Sequence, residues 1–415
     1  MIVEWLYFTG SSGKNETLGV AKYFGVHASL LMVFQLLLVA RLPWLDRRIG
    51  MDRLTVWHRW LGFTLLWTLL THAFLVVLGY ARLDDASLGS TFLALGGVPA
   101  SLLGMVAAAV VVLIGAVSVR AVRSRLRYET WHGLHLLLYV ALGLAFVHQL
   151  LETTTFTATA FATGYWWVLW LLSFGSLLGG RVALPVWRNA RHRFRVSAVV
   201  PESDDAVSVY VTGRHLERLP ARAGQFFVWR FPGHQPWWSA NPFSLSAAPD
   251  GRSLRLTAKA VGDASAGLRR LPVGGRAVLE GPYGAFTSLH RTGRGMVLIA
   301  GGMGITPVRA LLEEAATDTD LIVLYRVRSE REAVLGEEVR ALSAERGARL
   351  RLLVGRTGSG MRPFEPDGLR ALVPDIAERD VYVCGPPAMT SAVLAGLRAL
   401  GVPRRQVHAE RFGLA

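Results

Sequence analysis

The pattern of apolar positions divides the chain into two parts of different character, with the change near residue 188. The first part contains five long apolar runs, at 24–40, 61–80, 98–119, 134–151 and 165–180. A helix of about 20 apolar residues crosses a bilayer core about 30 Å thick. Each run is long enough, or nearly so, to do this. We therefore predict five membrane helices in this part of the chain.

The second part has the pattern of strands. Short apolar or alternating runs favour strands at 194–200, 207–212, 225–231, 253–260 and 276–280, which is typical of a small antiparallel barrel. From residue 296 strands alternate with helices, and the strands are predicted at 296–300, 321–325, 350–354 and 381–384. The predicted fold is therefore an all-α transmembrane helix bundle (1–188), an antiparallel β-barrel (189–290) and an α/β nucleotide-binding domain (291–415).

Arginines cluster in alternate connections between the apolar runs. The clusters lie within 41–53, 120–127 and 188–195, whereas residues 152–164 contain neither Lys nor Arg. Connections rich in Lys and Arg remain in the cytoplasm. We therefore predict a multi-pass protein of the plasma membrane whose second part is cytoplasmic. Because this topology accounts for the net charge of +15, nucleic-acid binding is not expected.

Four histidines lie in or beside the second and fourth apolar runs. His58 and His72 are fourteen residues apart, and His135 and His148 are thirteen apart. A histidine inside a membrane is costly and by default faces the bundle interior with a function. Each pair spans roughly 20 Å of helix, so each helix offers one imidazole near each membrane face. We predict that His58 with His135, and His72 with His148, are the iron ligands of two b-type haems. Scattered histidines that bond to neighbouring carbonyl groups are the alternative.

The fourth run cannot present both histidines from one face of a regular helix. Fourteen residues return to nearly the same face, whereas thirteen leave an offset of about 140°. We therefore expect the helix to bend, to bulge or to present His135 and His148 from different flanks. His132 competes with His135, but its spacing to His148 is longer and its angle is no better.

A glycine-rich segment at 301–307 follows one predicted strand and precedes a predicted helix at 308–316. Glycines there let backbone amides approach a pyrophosphate, and the helix N-terminus adds partial positive charge. Thr306 is predicted to cap the helix, and Pro307 suits its first turn. The candidate residues are Gly301, Gly302, Gly304, Thr306 and Pro307. A purely structural turn is the alternative for this segment taken alone.

Four motifs follow the order seen in ferredoxin-reductase-type flavoproteins. They are Asn241-Pro242-Phe243-Ser244, Gly281-Pro282-Tyr283-Gly284, the segment 301–307 and Cys384-Gly385-Pro386-Pro387-Ala388-Met389. Together with the histidine pairs, they make nearly the whole chain resemble the ferric reductase and NADPH oxidase superfamily, particularly its compact bacterial members. The resemblance implies that the cofactors are FAD and two haem b, with NADPH as electron donor and NADH possible.

The resemblance also implies roles for individual residues. The flavin-ring segment corresponds to Asn241, Pro242, Phe243 and Ser244. The FAD pyrophosphate turn corresponds to Gly262, Asp263, Ala264 and Ser265, with Lys259 just before it. The nicotinamide segment corresponds to Cys384, Gly385 and Pro386, and the flavin-shielding end of the chain contains Glu410 and Phe412. Of these residues, those expected to be catalytic are Ser244, Cys384, Glu410 and Phe412.

Arg326 and Arg328 follow the second strand of the predicted nucleotide fold, where the adenosine ribose is usually bound. A guanidinium there suits a 2′-phosphate, which favours NADPH over NADH. Arginines of a solvated surface are the alternative. Cys384, the single cysteine of the chain, excludes an internal disulfide.

The sequence departs from the family pattern at three places. Family members usually have six membrane helices, so their first helix is absent here, shortened to residues 1–10, or outside this chain. Asn241 replaces the histidine that usually opens the flavin motif. Val76 stands where eukaryotic NADPH oxidases have a second histidine beside the oxygen pocket. His27 and Arg82, predicted on the outer side, are candidates for tuning the electron acceptor site. The alternative is that they serve in packing or bind haem propionates.

We expect electrons to pass from NADPH through FAD and both haems to an acceptor outside the cell. The leading acceptor is oxygen, which would give superoxide. Reduction of ferric or other metal chelates is one alternative, and a redox subunit that serves an extracytoplasmic partner protein is another. The connections 81–97 and 152–164 are short, which favours a small molecule, so no obligatory protein partner is expected.

Overall fold

The structure is a computed structural model that describes residues 2–9, 14–126, 128–151, 156, 158–234, 241–293, 295–355 and 362–411. The chain forms two compact units. The first comprises Met1–Arg41 and Leu54–Gly179, and the second comprises Leu42–Arg53 and Gly180–Ala415. Each unit is described by itself below.

Helices form the part of the chain that carries the long apolar runs. In chain order they are α1 (Ile2–Thr9), α2 (Glu16–Val39), α3 (Pro43–Ile49), α4 (Met51–Leu83), α5 (Leu88–Gly96), α6 (Pro99–Ser118), α7 (Arg120–Arg123), α8 (Tyr128–His135), α9 (Leu137–Leu151), α10 (Ala160–Leu178) and α11 (Leu184–His192). A π-helical turn at Gly179–Ala183 joins the last two. The connection 81–97, predicted as a loop, contains α5.

Within the described residues, five helical segments are long and apolar enough to cross a membrane. They are Glu16–Val39, Arg53–Leu83, Pro99–Ser118, Thr130–Leu151 and Ala160–His192. By length and composition these segments agree with the five predicted membrane helices, and all but the third are longer than the predicted runs. Large apolar side chains such as Trp67, Leu113 and Leu171 are more than half exposed on this unit. Such a surface is suited to lipid rather than to water.

Polar groups inside the helical unit bond to one another. Gln149 lies next to His148 in the sequence, and its Oε1 accepts hydrogen bonds from Ser29 Oγ (2.9 Å) and Trp170 Nε1 (3.2 Å). All three side chains are buried. Because a buried polar group without a partner is costly, this bonding stabilises the contact of α2, α9 and α10.

The second unit begins with two antiparallel sheets. Their strands are β1 (Arg195–Pro201), β2 (Ala206–Thr212), β3 (Phe226–Arg230), β4 (Asn241–Ser244), β5 (Ser253–Lys259) and β6 (Val278–Tyr283), in the orders β1-β2-β5 and β4-β3-β6. The two sheets enclose one apolar core, which includes Val209, Trp229 and Leu279.

The predicted antiparallel strands are present, but a closed barrel is not shown. In the described part of the chain, the two sheets are linked by isolated bridges, Leu245 with Leu256 and Arg195 with Arg276, rather than by a continuous ladder. The physical reason is the shortness of β4. After four residues its chain leaves β3 and meets β5 at the single Leu245 bridge. Sequence alternation predicts strands, but it does not predict where a ladder is interrupted.

A parallel sheet completes the second unit. Its strands are β7 (Gly295–Gly301), β8 (Asp320–Val327), β9 (Arg349–Val354), β10 (Asp380–Gly385) and β11 (Val407–Arg411), in the order β11-β10-β7-β8-β9. The helices of this unit, besides α3 and α11, are α12 (Asp263–Ala266), α13 (Ile305–Glu314), α14 (Gly336–Glu345), α15 (Pro366–Leu372) and α16 (Pro387–Ala399). This confirms the α/β fold predicted for the end of the chain, and β11 is an additional strand.

Alternate residues of the parallel strands pack on opposite faces of this sheet. On β7, Leu298 belongs to the core on one face, and Val297 and Ile299 belong to the core on the other. Such two-sided burial is typical of a parallel sheet covered by helices.

Candidate electron-transfer sites

The four predicted haem ligands lie on one continuous helix and one interrupted helix of the first unit. His58 and His72 both belong to α4, whereas His135 ends α8 and His148 lies on α9. The two shorter helices are separated by a turn at Leu136, where the Tyr139 N–H donates to Leu136 O (3.0 Å), three residues back instead of the four of an α-helix. The spacing of thirteen residues predicted such an interruption.

His58 and His135 lie close together although they come from different helices. Their ring centroids are 6.2 Å apart, and the ring planes are inclined by 72°. Bonds of about 2 Å from one metal ion to two imidazole nitrogens on opposite sides place the ring centroids roughly 6 Å apart. The observed separation therefore fits two axial ligands of a single iron.

A tryptophan and an arginine lie beside the pair formed by His58 and His135. The Trp131 ring lies 5.1 Å from the His135 ring between centroids, and Trp131 Nε1 donates to Ser118 Oγ at 3.2 Å. The Arg123 guanidinium lies 4.4 Å above the Trp131 ring, a cation–π distance. These contacts hold the His135 ring beside a fixed aromatic neighbour.

His72 and His148 are each oriented by a backbone carbonyl group of another helix. Their Nδ1 atoms lie 2.8 Å from the carbonyl oxygens of Ala21 and Ala100, respectively. Because a carbonyl only accepts hydrogen bonds, each Nδ1 carries the proton and each Nε2 keeps its lone pair. A hydrogen bond on the second ring nitrogen is the usual way in which proteins orient a metal-ligating histidine.

Glycines on neighbouring helices make room for both of these imidazoles. A Cβ atom at Gly25 on α2 would lie 2.8 Å from His72 Nδ1, and one at Gly104 on α6 would lie 3.0 Å from His148 Nδ1. Real Cβ atoms do not approach other atoms at the first distance, and the second is tighter than ordinary contact. A side chain at Gly25 would therefore displace the His72 ring, and one at Gly104 would require a small shift of the His148 ring.

The donor set fits haem better than a bare metal ion. Among the described residues, no group of three or more His, Cys, Asp or Glu side chains could hold a metal ion. Haem needs only axial ligands from the protein, because the porphyrin supplies the others. The proximity of His58 to His135 and the free Nε2 atoms of His72 and His148 meet that need.

Other candidate residues of the first unit have protein partners. His27 Nδ1 lies 2.8 Å from Tyr23 O, and its Nε2 is 3.8 Å from a Glu4 carboxylate oxygen. Arg82 donates to Thr17 Oγ1 at 2.9 Å. The competing ligand His132 is exposed on α8.

In the second unit, the candidate flavin motif forms strand β4. Phe226 pairs with Ser244, and Val228 with Pro242, so β3 holds the motif in register. Ser244 is buried and Pro242 is exposed. The backbone of Phe243 is held through its carbonyl, which accepts a hydrogen bond from Trp229 Nε1 at 3.0 Å. The motif therefore presents one side to solvent from a fixed backbone.

The candidate FAD pyrophosphate turn is a short capped loop. Ser265 Oγ accepts hydrogen bonds from the backbone N–H groups of Val261 (3.0 Å) and Gly262 (3.2 Å). The backbone of Asp263 and Ala264 continues into α12, but their side chains lie outside the described structure. The turn is exposed at Gly262, where an added Cβ would meet no atom within 4 Å.

Lys259 lies at the end of β5, just before this turn. Its Nζ pairs with Asp205 Oδ2 at 2.8 Å. This hydrogen bond lowers the pKa of the Asp205 carboxyl from its ordinary value. Lys259 is one-third exposed, so the pair lies at the protein surface.

The candidate nucleotide loop lies where the order of the parallel sheet changes direction. From β7 the chain moves to β8 and β9 on one side and then to β10 on the other. Ligands of such sheets bind at the carboxyl ends of the strands at this switch point. Here Gly301 ends β7 and Gly385 ends β10. A Cβ at Gly385 would lie 3.1 Å from Gly301 N, so the two strand ends touch.

Glycines are required at the switch point for two different reasons. A Cβ at Gly304 would lie 2.0 Å from the carbonyl oxygen of Cys384, so only glycine allows this approach. Gly302 has a φ of +52° and faces open space, with no atom within 4 Å of an added Cβ. The loop is thus closely packed on the sheet side and open on the other side, as a pyrophosphate would require.

The predicted cap at Thr306 is wrong. Helix α13 begins at Ile305, its N-cap is Gly304, and no side chain caps it. The physical reason is a 3₁₀ turn at Gly302–Gly304 that starts the helix earlier than the apolar pattern indicates. Thr306 lies inside the first turn and its Oγ1 donates to Met303 O at 3.0 Å. Pro307 lies in that first turn, as predicted.

Cys384 offers its backbone, rather than an accessible thiol, to the candidate nicotinamide segment. The side chain is fully buried in the core, and this burial raises the pKa of the thiol well above its ordinary value. Its strand neighbour on β11 is Glu410. Pro386 is exposed directly after β10. Phe412 lies outside the described residues.

The two candidate arginines for the 2′-phosphate differ in setting. Arg326 pairs with Gly301 across β8 and β7, so its backbone lies beside the first glycine of the loop. Its side chain is half-buried, with a guanidinium nitrogen 3.4 Å from Leu353 O. Arg328 follows β8 and is exposed. Both positions are at the carboxyl edge of the sheet.

Several residues of these sites were missed in the sequence. Trp131 precedes His135 by one helical turn, which is a usable signal. Gly25 and Gly104 interrupt apolar runs, but glycine in such runs has many uses. Arg255 and Glu338, which form an ion pair at 2.9 Å between β5 and α14, carry no local signal.

Comparison with known proteins supports two separate assignments. Residues 24–146 match the model of the "Ferric reductase like transmembrane component", and residues 298–394 match that of the "Oxidoreductase NAD-binding domain". The first match contains His58, His72 and His135, and His148 follows it closely. The chain joins a ferric-reductase-like transmembrane domain to a ferredoxin-reductase-type flavoprotein module. The nucleotide loop and the Cys384 segment lie in the module's matched range.

The relatives of this reductase module include both oxygenase reductases and flavohaemoproteins. The chain is 30% identical over 234 residues to the ferredoxin reductase component of 3-ketosteroid-9-alpha-monooxygenase from Mycobacterium tuberculosis, covering 52% of this chain and 64% of that protein. It is 30% identical over 252 residues to the Vibrio cholerae flavohemoprotein, covering 56% and 61%. The chain thus spans slightly less than two thirds of the length of these relatives.

Among solved structures, the module is similar to the FAD/NAD-binding domain of the Vibrio cholerae nitric oxide dioxygenase. The identity is 26%, the TM-score is 0.44, and the match covers 54% of this chain and 98% of that domain. The family matches and the curated relatives identify the protein as an oxidoreductase that uses FAD and NAD(P)H. The ferric-reductase-like match and the five apolar helices indicate a multi-pass membrane protein.

Proposed function

We propose that this protein carries electrons across the plasma membrane, from cytoplasmic NADPH to a small acceptor on the outer side. The observation that carries the proposal is the pairing of histidines within the ferric-reductase-like domain. His58 and His135 are spaced as two ligands of one iron, and His72 and His148 are both oriented by a carbonyl on Nδ1. Two such pairs at different depths are what electron transfer through a bilayer requires.

When bound, FAD would take a hydride from NADPH and release its electrons singly, and two b-type haems would carry them through the membrane. FAD would be held by Asn241–Ser244 and by the turn at 262–265, with Lys259 beside it. The haems would be held by the two histidine pairs. Each pair would hold its haem through two imidazoles, and a haem held in this way would favour electron transfer to the acceptor over binding of the acceptor at the iron.

The residues of the reductase module position the nicotinamide nucleotide. Gly301, Gly302 and Gly304 allow backbone amides to face its pyrophosphate, and the N-terminus of α13 adds partial positive charge. Gly385 and Pro386 lie beside the loop, where the nicotinamide would be bound. Arg326 and Arg328, with the 2′-phosphate as their ligand, favour NADPH over NADH. The proposed catalytic residues, which would act beside the reacting rings, are Ser244, Cys384, Glu410 and Phe412. Cys384 would act through its backbone.

The arginine clusters orient the protein in the membrane. Connections rich in arginine precede α4, follow α6 and follow α10, so by the positive-inside rule they are cytoplasmic. His58 and His135 are then near the inner face, and His72 and His148 near the outer face. The reductase module follows the last cluster and would be cytoplasmic. The division at 1–188, 189–290 and 291–415 into membrane, FAD and nucleotide domains belongs to this proposal.

Oxygen is the proposed acceptor, and superoxide the proposed product. Each NADPH supplies two electrons, and each of two oxygen molecules takes one to give superoxide. A group held by His72 and His148 that passes electrons singly would suit this acceptor. A ferric or other metal chelate is the alternative of the same architecture. Val76 stands at the position where a histidine would have favoured oxygen, so the metal-chelate alternative stays open.

A partner protein is the second candidate acceptor. The relatives of the module include the reductase components of 3-ketosteroid-9-alpha-monooxygenase and propane 2-monooxygenase. A component of this kind works with other proteins of its system. The short outer connections of this chain favour a small molecule over a docked protein.

The test compares acceptors and variants in the purified protein loaded with FAD and haem. NADPH-driven reduction is followed with a superoxide probe, with and without superoxide dismutase, and with a ferric chelate. We expect a dismutase-sensitive signal that His72→Ala abolishes and His132→Ala retains. A signal that resists the dismutase, together with rapid ferric chelate reduction, would favour the metal reductase. Full acceptor reduction by His72→Ala would contradict the transmembrane relay.

A further inference from the structure

A buried ion network joins two helices of the nucleotide-binding fold to the strands of the flavin fold. Arg255 on β5 donates from both terminal nitrogens to the Glu338 carboxylate on α14, at 2.9 and 3.0 Å. Arg309 on α13 donates to the same carboxylate at 2.7 Å. The side chains of Arg255 and Arg309 are only 5% and 6% exposed. Glu338 is therefore the shared acceptor of two buried guanidinium groups.

On the flavin side, the network holds the segment that directly follows the Asn241–Ser244 motif. Arg255 Nε donates to Ser246 Oγ at 3.0 Å, and one of its terminal nitrogens donates to Ser246 O at 2.6 Å. The Ala248 N–H donates to Glu313 Oε2 at 2.5 Å. The chain leaving β4 is thus fixed by one side chain from β5 and one from α13.

On the nucleotide side, the same network holds the helix that starts at the glycine loop. Arg309 and Glu313 are one turn apart on α13 and form an ion pair. Their helix begins directly after Gly304. Glu314 on this helix accepts hydrogen bonds from Ala223 N–H (2.9 Å) and Ser288 Oγ (2.8 Å). The position of the glycine loop relative to β4 is therefore set by charged side chains of α13 and α14.

We propose that Glu338, with Arg255 and Arg309, is a positioning network for hydride transfer between the nicotinamide and the flavin. This inference rests on the proposed function. Within the described residues Arg309 Nε is buried without a hydrogen-bond partner, so the network is held by the terminal nitrogens of Arg255 and Arg309, which donate to Glu338. Removing one partner of a buried ion pair is costly, so these bonds favour one arrangement of β5, α13 and α14. Hydride transfer depends steeply on geometry, since a misplacement of about 1 Å can reduce a rate about 100-fold. The network acts through β4 and the loop and touches neither ring.

The test uses Glu338→Gln in the full-length protein loaded with FAD, and Glu337→Gln as its control. Glu337 is the neighbouring residue on α14, its side chain is 89% exposed, and within the described part of the chain its ion-pair partner is the exposed Arg340. Flavin bleaching is followed by anaerobic stopped flow at increasing NADPH concentrations. The measurement gives a limiting rate per bound FAD and an apparent Kd for NADPH. Deuterium at the transferred position of NADPH gives the isotope effect on that rate.

We expect Glu338→Gln to lower the limiting rate about 10- to 100-fold, with the isotope effect retained or increased and the NADPH Kd little changed. Glu337→Gln should match the parent. A role in stability alone would reduce the FAD content and leave the rate per bound FAD unchanged, which would overturn the proposal.

If Glu338→Gln fails to fold, the same limiting rate is measured with a second variant, Arg255→Lys. Lysine keeps the charge but cannot donate two parallel bonds to Glu338 together with those to Ser246. The same loss of limiting rate is expected, and an unchanged rate would overturn the inference. A parent protein whose flavin NADPH does not reduce would instead contradict the proposed function, so the two failures are distinguishable.

Discussion

His58 and His135 belong to different helices, yet their imidazole centroids lie 6.2 Å apart. Helix α8, which carries His135, is separated at Leu136 from α9, which carries His148. On one regular helix His135 and His148 would lie about 140° apart around the axis. The interruption thus lies between the two predicted ligands whose spacing does not fit one face of a regular helix.

Replacement of His135 should remove one haem. His135→Ala deletes one axial ligand of the inner pair, and we expect the haem content per protein to fall by about half, with flavin reduction by NADPH intact. His132→Ala is the matched control on the same helix and should retain the full haem content. Loss of haem in His132→Ala, but not in His135→Ala, would reassign the ligand.

Gly25 should be intolerant of a side chain. The methyl group of Gly25→Ala would lie 2.8 Å from the His72 ring, so the ring or α2 must move, and overpacking of this kind costs roughly 1–3 kcal/mol. We expect a shifted midpoint potential or reduced occupancy of the outer haem, measured by spectroelectrochemistry. Gly143→Ala on α9 is the control, since an added Cβ there meets no atom within 4 Å. Equal effects of both substitutions would refute the packing argument.

Arg328 should determine the choice of nucleotide. A charged hydrogen bond to a phosphate contributes about 1.5–3 kcal/mol, so Arg328→Ala should lower kcat/KM for NADPH roughly 10- to 100-fold. The value for NADH should change little, because NADH lacks the 2′-phosphate. Arg331→Ala, a nearby exposed arginine, is the control. Equal losses with both nucleotides would show that Arg328 does not bind the 2′-phosphate.

Cys384 should be unreactive in the folded protein. Burial both excludes reagents and raises the pKa of the thiol, so little thiolate forms even at pH 9. We expect negligible labelling by iodoacetamide between pH 7 and pH 9, and rapid labelling after denaturation. Because Cys384 is the only cysteine, mass spectrometry gives an unambiguous result. Fast labelling of the folded protein would contradict the buried position.

Strong periodic signals predicted most of the fold. Membrane helices depend on long apolar runs, so five of them could be located, and the thirteen-residue spacing predicted the interruption between His135 and His148. Parallel strands with both faces buried were recognisable for the same reason. The antiparallel strands of the predicted barrel were also recognisable, but a closed barrel is not shown. The four-residue strand β4 ends its ladder early, and an alternating sequence pattern does not indicate whether neighbouring strands pair along their whole length.

The supporting contacts of the sites could not be predicted from local sequence. The carbonyl partners of His72 and His148 belong to other helices, and any backbone offers carbonyl groups. Arg255 and Glu338 are far apart in the chain and belong to no motif. Thr306 failed as a cap because the helix starts through a 3₁₀ turn. Such contacts depend on tertiary packing, which a motif does not encode.

The most direct test of the histidine pairs is an absorption spectrum of the purified, FAD-supplemented protein before and after addition of NADPH without oxygen. The relay predicts that flavin bleaching is followed by the sharp reduced bands of haem with two imidazole ligands. Bleaching of the flavin without haem bands would contradict the account, because the reductase module would then work without the proposed haem sites at His58, His72, His135 and His148.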